Sequence, residues 1–132
     1  MAHSYVEYNQ RDFRVHDLDL IVVCTLVMNN AVKVDYKKLQ PMFDEWAESI
    51  SNDGPGCIDL QLDGYLVDDE SVQKLIQILD LSKRELSDYP EAYPKSKLNV
   101  SLKKFKINLE NDYKTELIGA VLSGIKSLVE VH

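Results

Sequence analysis

The feature that most constrains the fold of this chain is a mostly apolar run from Leu18 to Met28, with Asp17 and Asp19 at its entrance. At about 11 residues it is well short of the roughly 20 that cross a bilayer, so it predicts buried core. Its β-branched residues show no clean two-residue alternation, which leaves helix and buried strand both open. His16-Asp17 can cap a helix and Asn29-Asn30 can end one in the left-handed conformation, which favours helix.

The length of 132 residues predicts one globular domain spanning residues 1-132, with 45% apolar and 28% charged residues in the ordinary range. Cys24 lies in the apolar run and is predicted to be a small core residue, whereas Cys57 follows a Gly-Pro-Gly turn. Neither cysteine has the spacing of a metal ligand. Reduced thiols and an N-terminus without the pattern of a secretory signal predict a cytoplasmic protein. His132 is either native or the first residue of an affinity tag, and no functional role is expected for it.

Apolar periodicity predicts a second helix with Asp35 as its N-cap and Pro41 as a possible kink in its second turn. Its expected apolar stripe consists of Tyr36, Leu39, Phe43, Trp46 and Ile50. Alternation over residues 58–63 predicts a half-buried strand, followed by a turn at Asp63-Gly64. Residues 65–67 either return as a hairpin arm or lead into a helix that Asp68 or Asp69 caps.

The second half of the chain predicts a long irregular segment over residues 80–97, because two Tyr-Pro pairs disfavour helix. Two short strands with a bulge at Lys103-Lys104 are expected over residues 98–109. A last helix capped by Asp112 is expected to bury the stripe Tyr113, Leu117, Val121, Ile125 and Leu128. The predicted fold class is α+β, with three to four helices packed on a small, mostly antiparallel sheet.

Charge is distributed very unevenly along the chain. Residues 39–73 contain nine Asp or Glu residues and no Lys or Arg. The part before Pro94 carries a net charge of −10 and the part after it carries +3, which gives the overall −7. A one-signed acidic region attracts basic proteins and repels nucleic acid, so a basic protein partner is the leading expectation. Asp68, Asp69 and Glu70 also suit a helix N-terminus, and the two roles are compatible.

Catalytic and ligand-binding motifs are not evident in the sequence. His16 is the only histidine away from the termini, and no nucleophile elbow, phosphate loop, zinc helix or Rossmann fingerprint occurs. The carboxylates at Asp59, Asp63 and Asp68 do not have the spacing of a calcium loop. A lysine-rich strip around Phe105 could contact nucleic acid, but the negative overall charge opposes this. No catalytic residue, cofactor, metal, nucleic acid or membrane partner is therefore expected.

In size, acidity, few histidines and cysteines, and lack of catalytic motifs, the chain resembles the small immunity proteins of bacterial contact-dependent inhibition and related polymorphic toxin systems. The resemblance implies a tight one-to-one complex with a cognate basic toxin, often a nuclease. A small adaptor or regulatory subunit is the alternative, and a small enzyme using surface carboxylates is the third hypothesis. The oligomeric state is left open. The expected contact residues are Asp44, Glu45, Glu48, Asp63, Tyr65, Asp68, Asp69, Glu70, Tyr89 and Tyr93.

Overall fold

The computed structural model describes residues 2–130, so His132 lies outside the described residues. The strands are β1 (His3–Tyr8), β2 (Arg11–His16), β3 (Ala92–Tyr93) and β4 (Tyr113–Lys114). The helices are α1 (Asp17–Ala31), α2 (Gln40–Asn52), α3 (Leu62–Tyr65), α4 (Asp69–Leu86), α5 (Lys95–Leu102) and α6 (Thr115–Glu130). A 3₁₀ turn over Lys103–Phe105 follows α5.

The chain begins with a hairpin for which the sequence suggested no element. β1 and β2 are antiparallel, and Asn9 and Gln10 form a two-residue turn with φ of 53° and 66°. This positive-φ pair is the geometry that matches the twist of paired strands. The Asn9 amide donates to Asp63 Oδ1 at 2.9 Å, so a side chain 54 residues away holds the turn. Ser4 and Val6 point into the core as period-two alternation requires.

The apolar run forms helix α1, as the capping residues favoured. His16 is the N-cap, and its Nδ1 accepts the Leu18 amide at 3.2 Å. The expected left-handed ending at Asn29-Asn30 is wrong, because α1 continues through both and Val32 beyond it is right-handed. Asn30 is fully buried and donates to the Leu26 carbonyl and to Glu85. Helix α1 is buried on most of its surface because α2, α4, α5 and α6 pack around it.

Helix α2 starts later than the sequence predicted. Asp35 is not its N-cap, because residues 37–39 form a turn before the helix and Leu39 occupies that position. Pro41 therefore lies in the first turn, where a missing amide hydrogen breaks no helical bond and no kink follows. The expected burial of Phe43 and Trp46 on one side is confirmed.

The predicted strand over residues 58–63 is wrong, although the predicted alternation of burial is present. Ile58, Leu60 and Leu62 are buried while Asp59 and Gln61 are exposed. Side chains take the place of a partner strand here: Trp46 Nε1 donates to the Leu60 carbonyl at 2.7 Å. Alternating burial alone does not make a strand, which also needs backbone pairing with a neighbour, and in the described residues this segment belongs to neither sheet.

Residues 62–65 form the one-turn helix α3 and lead into α4, so the hairpin-arm alternative is excluded. Asp68 is the N-cap of α4, as predicted, and its carboxylate accepts the Ser71 amide at 2.8 Å. The Ser71 hydroxyl accepts the Asp68 amide, which completes a capping box. Helix α4 then runs to Leu86, so residues 80–86 are helical rather than irregular.

The predicted strands over residues 98–109 are wrong, since this segment contains α5 and the 3₁₀ turn. Leu98 and Leu102 are buried four residues apart while Val100 is 78% exposed, which is helical rather than alternating burial. Asp112 does not cap α6 but accepts the Lys95 amide at 3.0 Å. Helix α6 starts at Thr115, and Leu117 of the predicted stripe is 41% exposed.

The fold is mixed α/β, but the helix count and the single sheet were predicted wrongly. Residues 2–130 contain six α-helices and two separate two-stranded antiparallel sheets. The buried apolar side chains form one cluster to which all six helices contribute. Within the described residues, no helix is long and apolar enough to span a membrane.

Candidate functional site

The structure places five carboxylates of the acidic region together on α2 and the loop that follows it. Asp44 and Glu48 are exposed and lie four residues apart, hence on one side of the helix. Glu45, beside them, accepts a hydrogen bond from Gln61 Nε2 at 3.1 Å. We call this surface the α2 face; it comprises Asp44, Glu45, Glu48, Asp53 and Asp59.

Ser49 holds the loop part of the α2 face against the helix. Its side chain is buried, donates to Asp53 Oδ2 at 2.7 Å and accepts the Asp59 amide at 2.9 Å. Trp46, fully buried one turn earlier, binds the carbonyl of Leu60 in the same loop. The carboxylates are therefore carried on a backbone that two buried side chains fix in place.

None of the five carboxylates forms an ion pair within residues 2–130. Their hydrogen bonds go to uncharged groups, such as the Asn52 amide that donates to Glu48 at 2.8 Å. Exposed like charges without counter-charges generate a negative potential that extends over about a Debye length, roughly 8–10 Å at physiological salt. The α2 face is thus a concentrated and uncompensated negative surface.

Three of the four remaining acids of the block, Asp63, Asp68 and Glu70, have partners within the fold. Asp63 accepts the Asn9 amide, as described above, so its charge helps to fix the hairpin turn. Lys38 Nζ lies 2.7 Å from Asp68 Oδ2 and 3.3 Å from Glu70 Oε2. Lys38 and the Ser71 amide lower the pKa of Asp68 to about 2. Asp69 is exposed and, in the described residues, forms no ion pair.

The three tyrosines expected at the contact surface differ in their exposure. Tyr65 and Tyr89 are half-buried. Tyr93 was expected on an exposed segment, but it is only 4% exposed and its hydroxyl donates to Glu85. Burial and the neighbouring Glu85 carboxylate raise the pKa of Tyr93. Pairing of β3 with β4 turns this side chain inward, so Tyr93 cannot serve as an exposed anchor.

A cleft of about 450 Å³ between β2 and α6 was not anticipated from the sequence. His3 and His16, paired across the hairpin, line it with ring centroids 5.2 Å apart, together with Arg14. Asp19 at its edge accepts a hydrogen bond from the Tyr113 hydroxyl. The described lining contains no Ser, Thr or Cys, so it offers no side-chain nucleophile of those types to a histidine base. Asn9-Gln10 lacks the glycine of the favoured two-residue hairpin turns, so the sequence held no strong signal that would have paired the two histidines.

The described residues contain no group of three or more His, Cys, Asp or Glu side chains arranged to hold a metal ion. Both cysteines are free: Cys24 is buried, which raises the pKa of its thiol, and Cys57 is exposed. The α2 face therefore stands out by its charge rather than by the geometry of a reaction centre. Comparisons with protein-family models, with curated proteins and with solved structures return no match to this chain.

Proposed function

We propose that this protein binds a basic partner protein through the α2 face, and that the partner is a toxin with nuclease activity which the complex neutralises. The observation that carries the proposal is the group of five carboxylates without an ion-pair partner in the described residues. A nuclease is basic where it grips phosphate, so a surface with this charge complements its active site or a neighbouring region. The stoichiometry proposed is one to one.

The fixed geometry of the α2 face supports binding. Ser49 and Trp46 hold the acid-bearing loop to the helix, so little backbone freedom is lost when a partner docks. The long-range field would also act before contact, since electrostatic steering raises association rates by about 10 to 10³-fold. Complementary charge contributes mainly to association rate and partner choice, and buried anchors then determine how slowly the complex dissociates.

A binding role is favoured over an enzymatic one by the environment of the histidines. Besides its two histidines, the His3–His16 cleft presents Arg14, Asp19 and apolar side chains, and the described lining lacks a hydroxyl or thiol of Ser, Thr or Cys. Most carboxylates of the α2 face lie on the exposed side of a helix and at the start of its adjoining loop. Substrate sites are typically concave and exclude water, which an exposed helix face does not do.

The test is a charge reversal that leaves the fold intact. Asp44→Lys with Glu48→Lys changes two exposed side chains of the α2 face, and Glu91→Lys with Glu110→Lys makes the same net change at exposed positions elsewhere. A cognate basic nuclease should associate with the α2 variant about 10 to 10³-fold more slowly at low salt, with a weaker salt dependence. The control variant should associate and inhibit nearly as the native protein does.

The readouts are stopped-flow association rates across a salt series and inhibition of nuclease activity. If both variants associate equally fast, the α2 face is not the docking surface. If a tightly bound nuclease keeps its activity in the complex, the neutralising role is wrong even though the binding surface is right.

A further inference from the structure

A second site that the proposed function does not use lies where the C-terminal end of α4 meets β3 and α5. Tyr89 and Tyr93 pack edge to face there, with ring centroids 5.1 Å apart, and Glu85 lies beside Tyr93. We call these three side chains the tyrosine cage. Lys97 of α5 places its ammonium 5.2 Å from the Tyr89 ring centroid and 6.0 Å from that of Tyr93.

Hydrogen bonds orient two side chains of the tyrosine cage, Glu85 and Tyr93. The Tyr93 hydroxyl donates to Glu85 Oε2, while Glu85 Oε1 accepts from Asn30 Nδ2 at 3.0 Å. Asn30 is fully buried, and Lys33 donates to its Oδ1 at 2.9 Å. The carboxylate is thus oriented from two sides, and its side chain is only 19% exposed.

The occupant of the cage is more exposed to solvent than its walls. Lys97 Nζ is 3.8 Å from Glu85 Oε2, which is the long end of an ion pair, and its side chain is 50% exposed. Its distances to the two rings lie near the outer limit of about 6 Å for a cation–π contact. A long flexible stem on an exposed helix position lets the ammonium move into water without disturbing α5.

We propose that the tyrosine cage is a binding site for an alkylammonium group, and that Lys97 occupies it until such a ligand displaces it. Two aromatic faces and a carboxylate are the groups that recognise primary and quaternary ammonium ions. The exchange conserves charge, because one cation replaces another beside Glu85. The Tyr89 hydroxyl chiefly, and then the Glu85 and Asp88 carboxylates, raise the pKa of Lys97, so a cation is favoured at this position.

Two sources could supply this chemistry, a free quaternary amine or a lysine side chain of a peptide. Tetramethylammonium represents the first and N-acetyl-lysine methylamide represents the second. Each is titrated into the full-length protein at constant ionic strength with sodium chloride as compensating salt. Backbone amide shifts of residues 85–97 report on binding, and comparison of the two ligands identifies the source.

Three variants separate a ligand site from a purely internal contact. Lys97→Ala removes the occupant, Lys97→Ala with Tyr89→Leu also removes one wall, and Lys103→Ala removes a neighbouring exposed lysine as the matched control. We expect saturable shifts with the native protein and binding about fivefold or more tighter in Lys97→Ala, because the internal competitor is gone. Loss of the Tyr89 face should weaken that binding by about two- to fivefold or more. Lys103→Ala should behave like the native protein.

Binding of either ligand with this order of affinities supports the site. The proposal is overturned if neither ligand gives saturable shifts in Lys97→Ala, or if Tyr89→Leu leaves the affinity unchanged. Binding confined to Lys97→Ala, with none to the native protein, would also overturn it, because Lys97 would then be a permanent part of the fold. Circular dichroism of each variant verifies that the helices remain.

Discussion

Gly124 of α6 lies directly against the aromatic ring of Phe13 from β2, and this contact makes a sharp prediction about stability. A Cβ added at Gly124 would lie 2.9 Å from Phe13 Cζ and 3.2 Å from both Cε atoms. A Cβ added at Gly119, in the same helix, would meet no atom of the described residues within 4 Å, its chain neighbours and the nearby backbone of α6 aside. The two glycines therefore form a matched pair in which only one faces a ring.

The expected magnitudes follow from two opposing terms. Replacing glycine by alanine in a helix interior stabilises by about 1 kcal/mol, and at Gly119 that gain should appear in full. At Gly124 the same gain is offset by displacement of the ring, and overpacking typically costs about 1–3 kcal/mol. Phe13 is half-buried at the edge of the His3–His16 cleft, so its ring can shift outward and the lower part of that range applies. Gly124→Ala should be less stable than Gly119→Ala by about 1–2 kcal/mol.

The assay is equilibrium unfolding in urea, followed by the fluorescence of Trp46, which is the sole tryptophan and fully buried. Measuring both substitutions again in a Phe13→Leu background completes a double-mutant cycle, and there the difference should largely disappear. Equal stabilisation by the two alanines in the native background would refute the reasoning, since it would mean that Phe13 does not constrain α6.

Two further predictions concern the N-cap of α4 and the loop of the α2 face. Asp68→Ala should lower the unfolding midpoint at pH 7, and Asp69→Ala should have a smaller effect because Asp69 makes no cap or ion pair in the described residues. The folded-state pKa of Asp68, about 2, is below its ordinary value near 3.8, so its contribution is present above pH 4 and lost as pH falls toward 2. The gap between native protein and Asp68→Ala should therefore close over that window, and a gap that persists at pH 2 would contradict it. Ser49→Ala should lower the free energy of unfolding by about 1–3 kcal/mol and speed hydrogen exchange of the Asp59 amide, because it removes the buried acceptor of that amide. Unchanged exchange would mean that Ser49 does not hold the loop on α2.

Several features could be read from the sequence because they depend on neighbours a few residues apart. The Asp68 cap involves Ser71 three residues on, and the burial of Phe43 and Trp46 follows from helical spacing. The sequence did not decide between helix and strand where both patterns fitted the same residues. Leu98, Val100 and Leu102 satisfy an alternating pattern and a four-residue spacing at once, and only the packing of α5 against α1 shows which one is used.

The sequence predicted one acidic region as the candidate site, and the structure separates its acids into those with an ion-pair partner and those without one. The sequence located the acidic block, but it could not show that Lys38, which precedes the block, lies against Asp68 and Glu70. It also could not show that a serine within the block draws the loop of residues 53–59 onto α2. Charge is a property of composition, whereas the presence of a counter-charge is a property of three-dimensional contacts.

By itself, then, the sequence determined that the run of residues 18–28 is buried, that Asp68 or Asp69 caps α4, and that one part of the chain is strongly acidic. The first follows from the transfer of apolar groups out of water, and the second follows from capping of the helix backbone. The third is a matter of residue composition. Tertiary structure alone decided that residues 3–16 pair as a hairpin whose turn Asp63 holds, that Tyr93 turns inward onto Glu85, and that Phe13 packs on Gly124. The hairpin clamp and the Phe13 contact join residues far apart in sequence, and the inward turn of Tyr93 depends on the distant strand β4. Their energies exist only once the helices have brought those positions together.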